Sequence, residues 1–154
     1  IVSPLAARMA AEAGIDLRIA GESARFGVPI NRLGFPMAPD EMRGLLALAG
    51  RAATLAILLE GRVFGAAEAR DLGLLARIVA DAGVGEQARR SAERISQGAP
   101  LAARINKRLS ALLAQGGALT EAEYQDYFSY ADSRDHKEGV RAFLAGVDPH
   151  FSGD

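Results

Sequence analysis

The sequence predicts an α/β fold, with a small strand-bearing portion over residues 1–80 followed by a helical tail over residues 81–154. Three observations carry that expectation. Short β-favouring runs fill the first third of the chain. Apolar residues recur at helical spacing from about residue 84 onward. Glycine and proline fall between these patterns, where elements should end.

Taken in order, Asp16-Leu17-Arg18-Ile19-Ala20 and Arg25-Phe26-Gly27-Val28 read as brief strands separated by the polar turn Gly21-Glu22-Ser23. Pro29, Gly34, Pro36 and Pro39 predict a loop over residues 29–39. A helix should begin near Asp40, because Asp40 and Glu41 suit the positive end of its dipole. Met42, Leu45, Leu46 and Leu48 carry it to a stop at Gly50. A second helix over residues 51–60 is apolar nearly all round and is expected to be buried, with Gly61 ending it. Gly65-Ala66-Ala67-Glu68-Ala69-Arg70 predicts a short helix closed by Gly73, and Leu74-Leu75-Ala76-Arg77-Ile78-Val79 predicts a strand.

Over residues 84–97, Val84, Ala88, Ala92 and Ile95 mark one helical face, and Arg89, Arg90, Glu93 and Arg94 the other. Pro100 is placed for the first turn of the next helix, whose stripe is Leu101, Ile105, Leu109 and Leu112 and whose break is Gly116-Gly117. Thr120-Glu121-Ala122-Glu123 forms a capping box, with Leu119 and Tyr124 at the positions of a hydrophobic staple. Asp135-His136-Lys137-Glu138 repeats the capping logic for a last helix ending near Ala145.

Composition sets the outer bounds. The chain has 154 residues, 49% hydrophobic and 24% charged, which is one domain's worth with enough apolar material for a core. A net charge of −1 supplies no field to attract nucleic acid or an anionic membrane, so neither is an expected partner. Without cysteine there are no disulfides, thiolate metal sites or thiol nucleophiles. The longest apolar run, residues 55–59, is far short of the roughly 20 residues that cross a bilayer. No secretory signal pattern opens the sequence, and a cytoplasmic location is expected. The start at Ile1, read as a strand met midway, suggests a fragment of a longer protein. His136 and His150 lack metal-ligand neighbours, so no metal site is expected.

Three stretches in order resemble the crotonase superfamily, the enoyl-CoA hydratase/isomerase family. The first runs from Asp16-Leu17-Arg18-Ile19-Ala20 through Ala24-Arg25-Phe26-Gly27-Val28-Pro29 to Asn31-Arg32-Leu33-Gly34, and resembles that family's strand pair and the segment after it. The second is Leu59-Glu60-Gly61-Arg62 with Glu68-Ala69 and Gly73-Leu74-Leu75. The third, Asp135-His136-Lys137-Glu138-Gly139-Val140-Arg141-Ala142-Phe143-Leu144, is similar to the family's closing helix. The resemblance implies the C-terminal part of a crotonase-like α/β core over residues 1–80 and a trimerisation tail over residues 81–154. It further implies acyl-CoA as substrate, coenzyme A as part of that substrate with no separate cofactor, a place in fatty acid metabolism, and a homo-oligomer, trimer or hexamer.

The departures bear on chemistry. In hydratases of the family a Glu follows the Pro of the F-G-x-P segment and acts as general acid/base; here that position is Ile30, which cannot transfer a proton. The partner Glu follows a glycine triplet that gives an oxyanion donor, and the matching stretch, Ala6-Ala7-Arg8-Met9-Ala10-Ala11-Glu12, has no such triplet. Glu12 is the only carboxylate near that position, and the register does not place it there. A replacement acid/base is sought in Glu41, with Asp40 second, the structural alternative being that Asp40 caps the helix and Glu41 favours its dipole. Pro29, Ile30, Leu33, Gly34 and Phe35, with Met37, are expected to border the acyl pocket or to serve as ordinary core. Tyr127, within the aromatic face Tyr124, Tyr127, Phe128 and Tyr130, best matches the family's contact to a neighbour's CoA tail. Arg104, Lys107 and Arg108 read as a solvated face, with CoA phosphate contact the lesser alternative.

Overall fold

A computed structural model describes residues 17–114, 116 and 118–154, so Glu12, the stretch 6–12 and Asp16 lie outside the described residues. The chain divides into two compact units, one reaching to Arg89 and the other comprising Arg90–Asp154.

In the first unit, β1 (Ile19–Gly21) and β2 (Arg25–Phe26) follow one another without pairing. Each finds a later partner. Strand β1 runs parallel to β4 (Arg77–Val79), with Ala20 opposite Ile78, and β2 runs antiparallel to β3 (Phe64–Gly65), with Phe26 opposite Phe64. The Phe26 and Phe64 rings stack at 6.2 Å. Two-stranded ladders are marginal alone, and these are carried by helices α1 (Pro39–Glu60) and α2 (Ala66–Asp71). The core they share comprises Phe26, Val28, Met37, Leu45, Ile57, Leu58, Phe64, Ala66, Ala69 and Leu75.

Gly50 falls inside α1 with φ 72° and ψ 174°, a left-handed φ open to glycine and costly for other residues, so the helix breaks where the sequence placed a stop. By length and composition α1 could cross a membrane. The break leaves segments of 11 residues (39–49) and 10 residues (51–60), about half a span each. The second segment is not buried all round as expected: Thr54, Ile57 and Leu58 are covered while Leu59 is 70% exposed. Thr54 Oγ1 is buried without a hydrogen-bond partner. Its usual acceptor would be the carbonyl four residues back, on Gly50, whose backbone has left the helical conformation. The loop expected over residues 29–39 contains a 3-10 turn, Pro29–Leu33, because proline at its first position presets φ.

Beyond β4 the chain is helical: α3 (Val84–Ser96), α4 (Pro100–Ala114), α5 (Glu121–Tyr127) and α6 (Arg134–Ala145). The covered face of α3 differs from the expected one. Ser91 is buried and Val84 and Gln87 are half-buried, whereas Ala88 and Ala92 are exposed and Ile95 is 56% exposed. The α4 stripe is as read, with Ile105 buried and Leu101, Leu109 and Leu112 half-buried. The capping box closes in both directions: Thr120 N donates to Glu123 Oε2 at 2.6 Å, and Glu123 N donates to Thr120 Oγ1 at 3.3 Å.

At α6 the expected cap is corrected. Ser133 is the N-cap, accepting from His136 N at 3.1 Å, and Asp135 lies one residue inside the helix's first position. Asp135 is 2% exposed and accepts from Ser152 N at 2.7 Å and Gly153 N at 2.9 Å, while Glu138 accepts from His150 N at 3.1 Å. Two carboxylates one turn apart thus hold the segment that follows α6.

Candidate functional site

The site is built on the chain from β2 to the first turn of α1. Val28 delivers the chain into the 3-10 turn, whose first two residues, Pro29 and Ile30, are half-buried. Ile30 packs against the core of its unit, as does Met42. Met37 is buried in that core, but Leu33 and Phe35 are 71% and 52% exposed and Gly34 is exposed. The apolar loop residues therefore divide into an inward pair, Ile30 and Met37, and an outward pair, Leu33 and Phe35. Alternation of this kind is set by the turn's backbone and cannot be read from residue type.

Asn31 fixes the turn. Its Nδ2 donates to Leu59 O, near the end of α1, at 2.7 Å, and its own carbonyl accepts from Gly34 N at 3.2 Å. Close by, Arg62 bridges Glu60 and Glu68 and lies 5.6 Å from the centroid of the Phe64 ring. The two carboxylates raise the guanidinium pKa above its ordinary value, and the Arg62 hydrogen bonds lower that of Glu68.

The start of α1 corrects one expectation. Ala38 is the N-cap and makes no side-chain cap, Pro39 is the first helical residue, and Asp40 follows it. Proline's preset φ suits the first helical position, which places the cap at Ala38, two residues before Asp40. Asp40 is exposed and pairs with Arg43 at 3.8 Å, a contact in solvent that contributes little. Glu41 is half-buried in the same turn and makes no hydrogen bond or ion pair among the described residues.

Tyr127 belongs to the second unit. It is half-buried and meets Phe128 edge-on at 4.8 Å and Tyr130 at 5.6 Å. Tyr124 and Phe128 beside it are about half exposed. Arg108 pairs with Asp126. In the same unit an open apolar groove of about 350 Å³ is lined by Leu101, Ala102, Val140, Phe143 and Phe151, among others. Among the described residues no three His, Asp or Glu side chains gather as metal ligands would.

Comparison with known proteins gives this arrangement a lineage. The family model for enoyl-CoA hydratase/isomerase matches residues 9–154. A probable enoyl-CoA hydratase of Rhizobium meliloti is 34% identical over 135 residues, covering 84% of this chain and 51% of the relative. A putative enoyl-CoA hydratase of Thermus thermophilus is 35% identical, covering 88% of this chain and 54% of the relative. Among solved structures, an enoyl-CoA hydratase/carnithine racemase from Magnetospirillum magneticum superposes with a TM-score of 0.83 at 39% identity, over 90% of this chain and 52% of that one. An enoyl-CoA hydratase subunit from Geobacillus kaustophilus superposes with a TM-score of 0.85 at 29% identity, over 99% of this chain and 60% of that one. The chain spans about half the length of the curated relatives it matches. With the family model spanning residues 9–154 and relatives of 34–35% identity over more than four-fifths of its length, the chain belongs to the enoyl-CoA hydratase/isomerase family, the crotonase superfamily.

Proposed function

We propose that the protein acts on an acyl-CoA thioester by stabilising its enolate, and that it does so without the two-Glu machinery of a standard hydratase. The observation that carries the second half is Ile30. It occupies the position that follows the proline of Phe26-Gly27-Val28-Pro29, and its side chain packs on the core with no proton to give or take. Isomerase, hydrolase or decarboxylase chemistry needs one carboxylate or none of the usual pair, and Glu41, half-buried and unbonded at the start of α1, is the candidate proton carrier. Coenzyme A enters as part of the substrate.

The test is turnover of crotonyl-CoA by the full-length protein. General acid/base groups contribute about 10²–10⁴-fold, so hydration should fall at least that far below ordinary family rates. Ile30→Glu should raise it. Hydration by the unaltered protein at ordinary rates overturns the proposal. Glu41→Gln should abolish turnover of the true substrate while leaving its binding largely intact; unchanged turnover removes Glu41 from the mechanism. Binding of acyl-CoA with turnover of none would instead make the protein a non-catalytic acyl-CoA-binding homologue.

The second unit supports self-association. Phe143 and Leu144 are 85% and 79% exposed on α6, Val140 is 47% exposed, and the apolar groove lies alongside them. A second copy of the chain, in a trimer or a pair of trimers, is the proposed cover. A stable monomer in sedimentation across micromolar concentrations would overturn it.

A further inference from the structure

We infer that Asn31 and Gly61 act together as the positioning couple that sets where the Ile30 turn stands, and through it which acyl chains the site accepts; this rests on the acyl-CoA reading above. Two independent observations converge. The Asn31 amide spans 28 positions of sequence to donate to Leu59 O, so the turn is tied to the last turn of α1 and not merely to its neighbours. Gly61, which ends α1 at φ 57°, has its α-carbon so close to the same side chain that a Cβ there would collide with Asn31 Oδ1. The amide is thus held by its nitrogen and seated by its oxygen, and the seat requires glycine twice over, for conformation and for space.

A third close approach involves the same link. A Cβ at Gly27 would stand 2.8 Å from Arg62 O and 3.2 Å from Val63 Cα. Residues 61–63 therefore lie close against both Gly27 and Asn31, the two positions that bracket Val28, Pro29 and Ile30. Any shift at 61 moves the turn that carries Ile30. Asn31 itself is exposed, and a single exposed hydrogen bond adds little to folding stability. Its effect should be read in placement rather than in stability.

The experiment measures binding of free coenzyme A, butyryl-CoA, octanoyl-CoA and dodecanoyl-CoA to the full-length protein and to its Asn31→Ala, Asn31→Asp and Gly61→Ala variants, with thermal unfolding beside it. The expected result is that free coenzyme A binds equally well to all. The ratio of long-chain to short-chain affinity should shift by about tenfold in Asn31→Ala, the scale at which pockets discriminate methylenes. Asn31→Asp should behave like Asn31→Ala, since it keeps the shape and loses the donor. Gly61→Ala should shift the ratio in the same direction, with a lower melting temperature. If wild type binds the series and Asn31→Ala leaves the ratio unchanged, the couple is structural only and this inference falls alone. If wild type binds no acyl-CoA, the acyl-CoA reading falls with it.

Discussion

Two helix starts carry nearly the same acidic signal and use it in opposite ways. At α1, Asp40 and Glu41 follow Pro39; at α6, Asp135 follows Arg134 behind a serine cap. Asp40 ends in solvent beside Arg43, and Glu41 stands half-buried and unbonded. Asp135 is buried and takes two backbone amides, while Glu138, one turn on, takes a third and pairs with Arg141. The dipole favours acids at both places. What separates them is the chain that returns. A segment folds back over α6 and supplies donors; the segment before α1 leads with proline and supplies none. The unbonded acid is the one proposed above as a proton carrier, and the bonded one is committed to structure.

The contrast can be broken by mutation. Asp135→Asn should cost about 1.5–3 kcal/mol in denaturant unfolding of the full-length protein, the scale of hydrogen bonds to a charged group; a loss below half a kilocalorie would show that the returning segment is not held there. Thr120→Ala, which opens the capping box of α5, should cost about 1 kcal/mol by the same measurement. Acid should act on Glu138. Its hydrogen bonds from Arg141 and from His150 N hold its carboxyl down at about 2. Because the folded value lies below the unfolded one, its contribution is complete above about pH 4.3 and is lost as pH falls toward 2. Glu138→Gln should flatten that part of a stability–pH curve, and an unchanged curve would contradict the assignment. Smallest of all, Asp40→Ala should stay within about 0.5 kcal/mol of wild type, as exposed substitutions do.

Much of the fold was legible because its signals are local. Gly50, Gly61, Gly73 and Pro100 stop or start elements through their own backbones, and the Thr120 box needs only four residues. The strand partners were not legible, since β1 meets β4 across 58 positions and nothing in either run names the other. The covered face of α3 was misread because Ser91, a polar residue, takes the buried position that Ala88 and Ala92 seemed to mark. At the site, Ile30 was visible from a motif alone. The split between inward Met37 and outward Phe35, and the reach of Asn31 to Leu59, depend on a turn that the sequence presented as a loop.

The clasp on α6 also says where the chain can be cut. Trimming residues 150–154 would remove the amides that answer Asp135 and Glu138 together, along with Phe151 from its place near Gly139. A buried carboxylate would then lose the backbone amides it accepts from, leaving only the helix dipole to favour its charge. An expression boundary drawn at the end of the last helix would therefore yield a weakened helical unit, and a workable one has to run through Gly153.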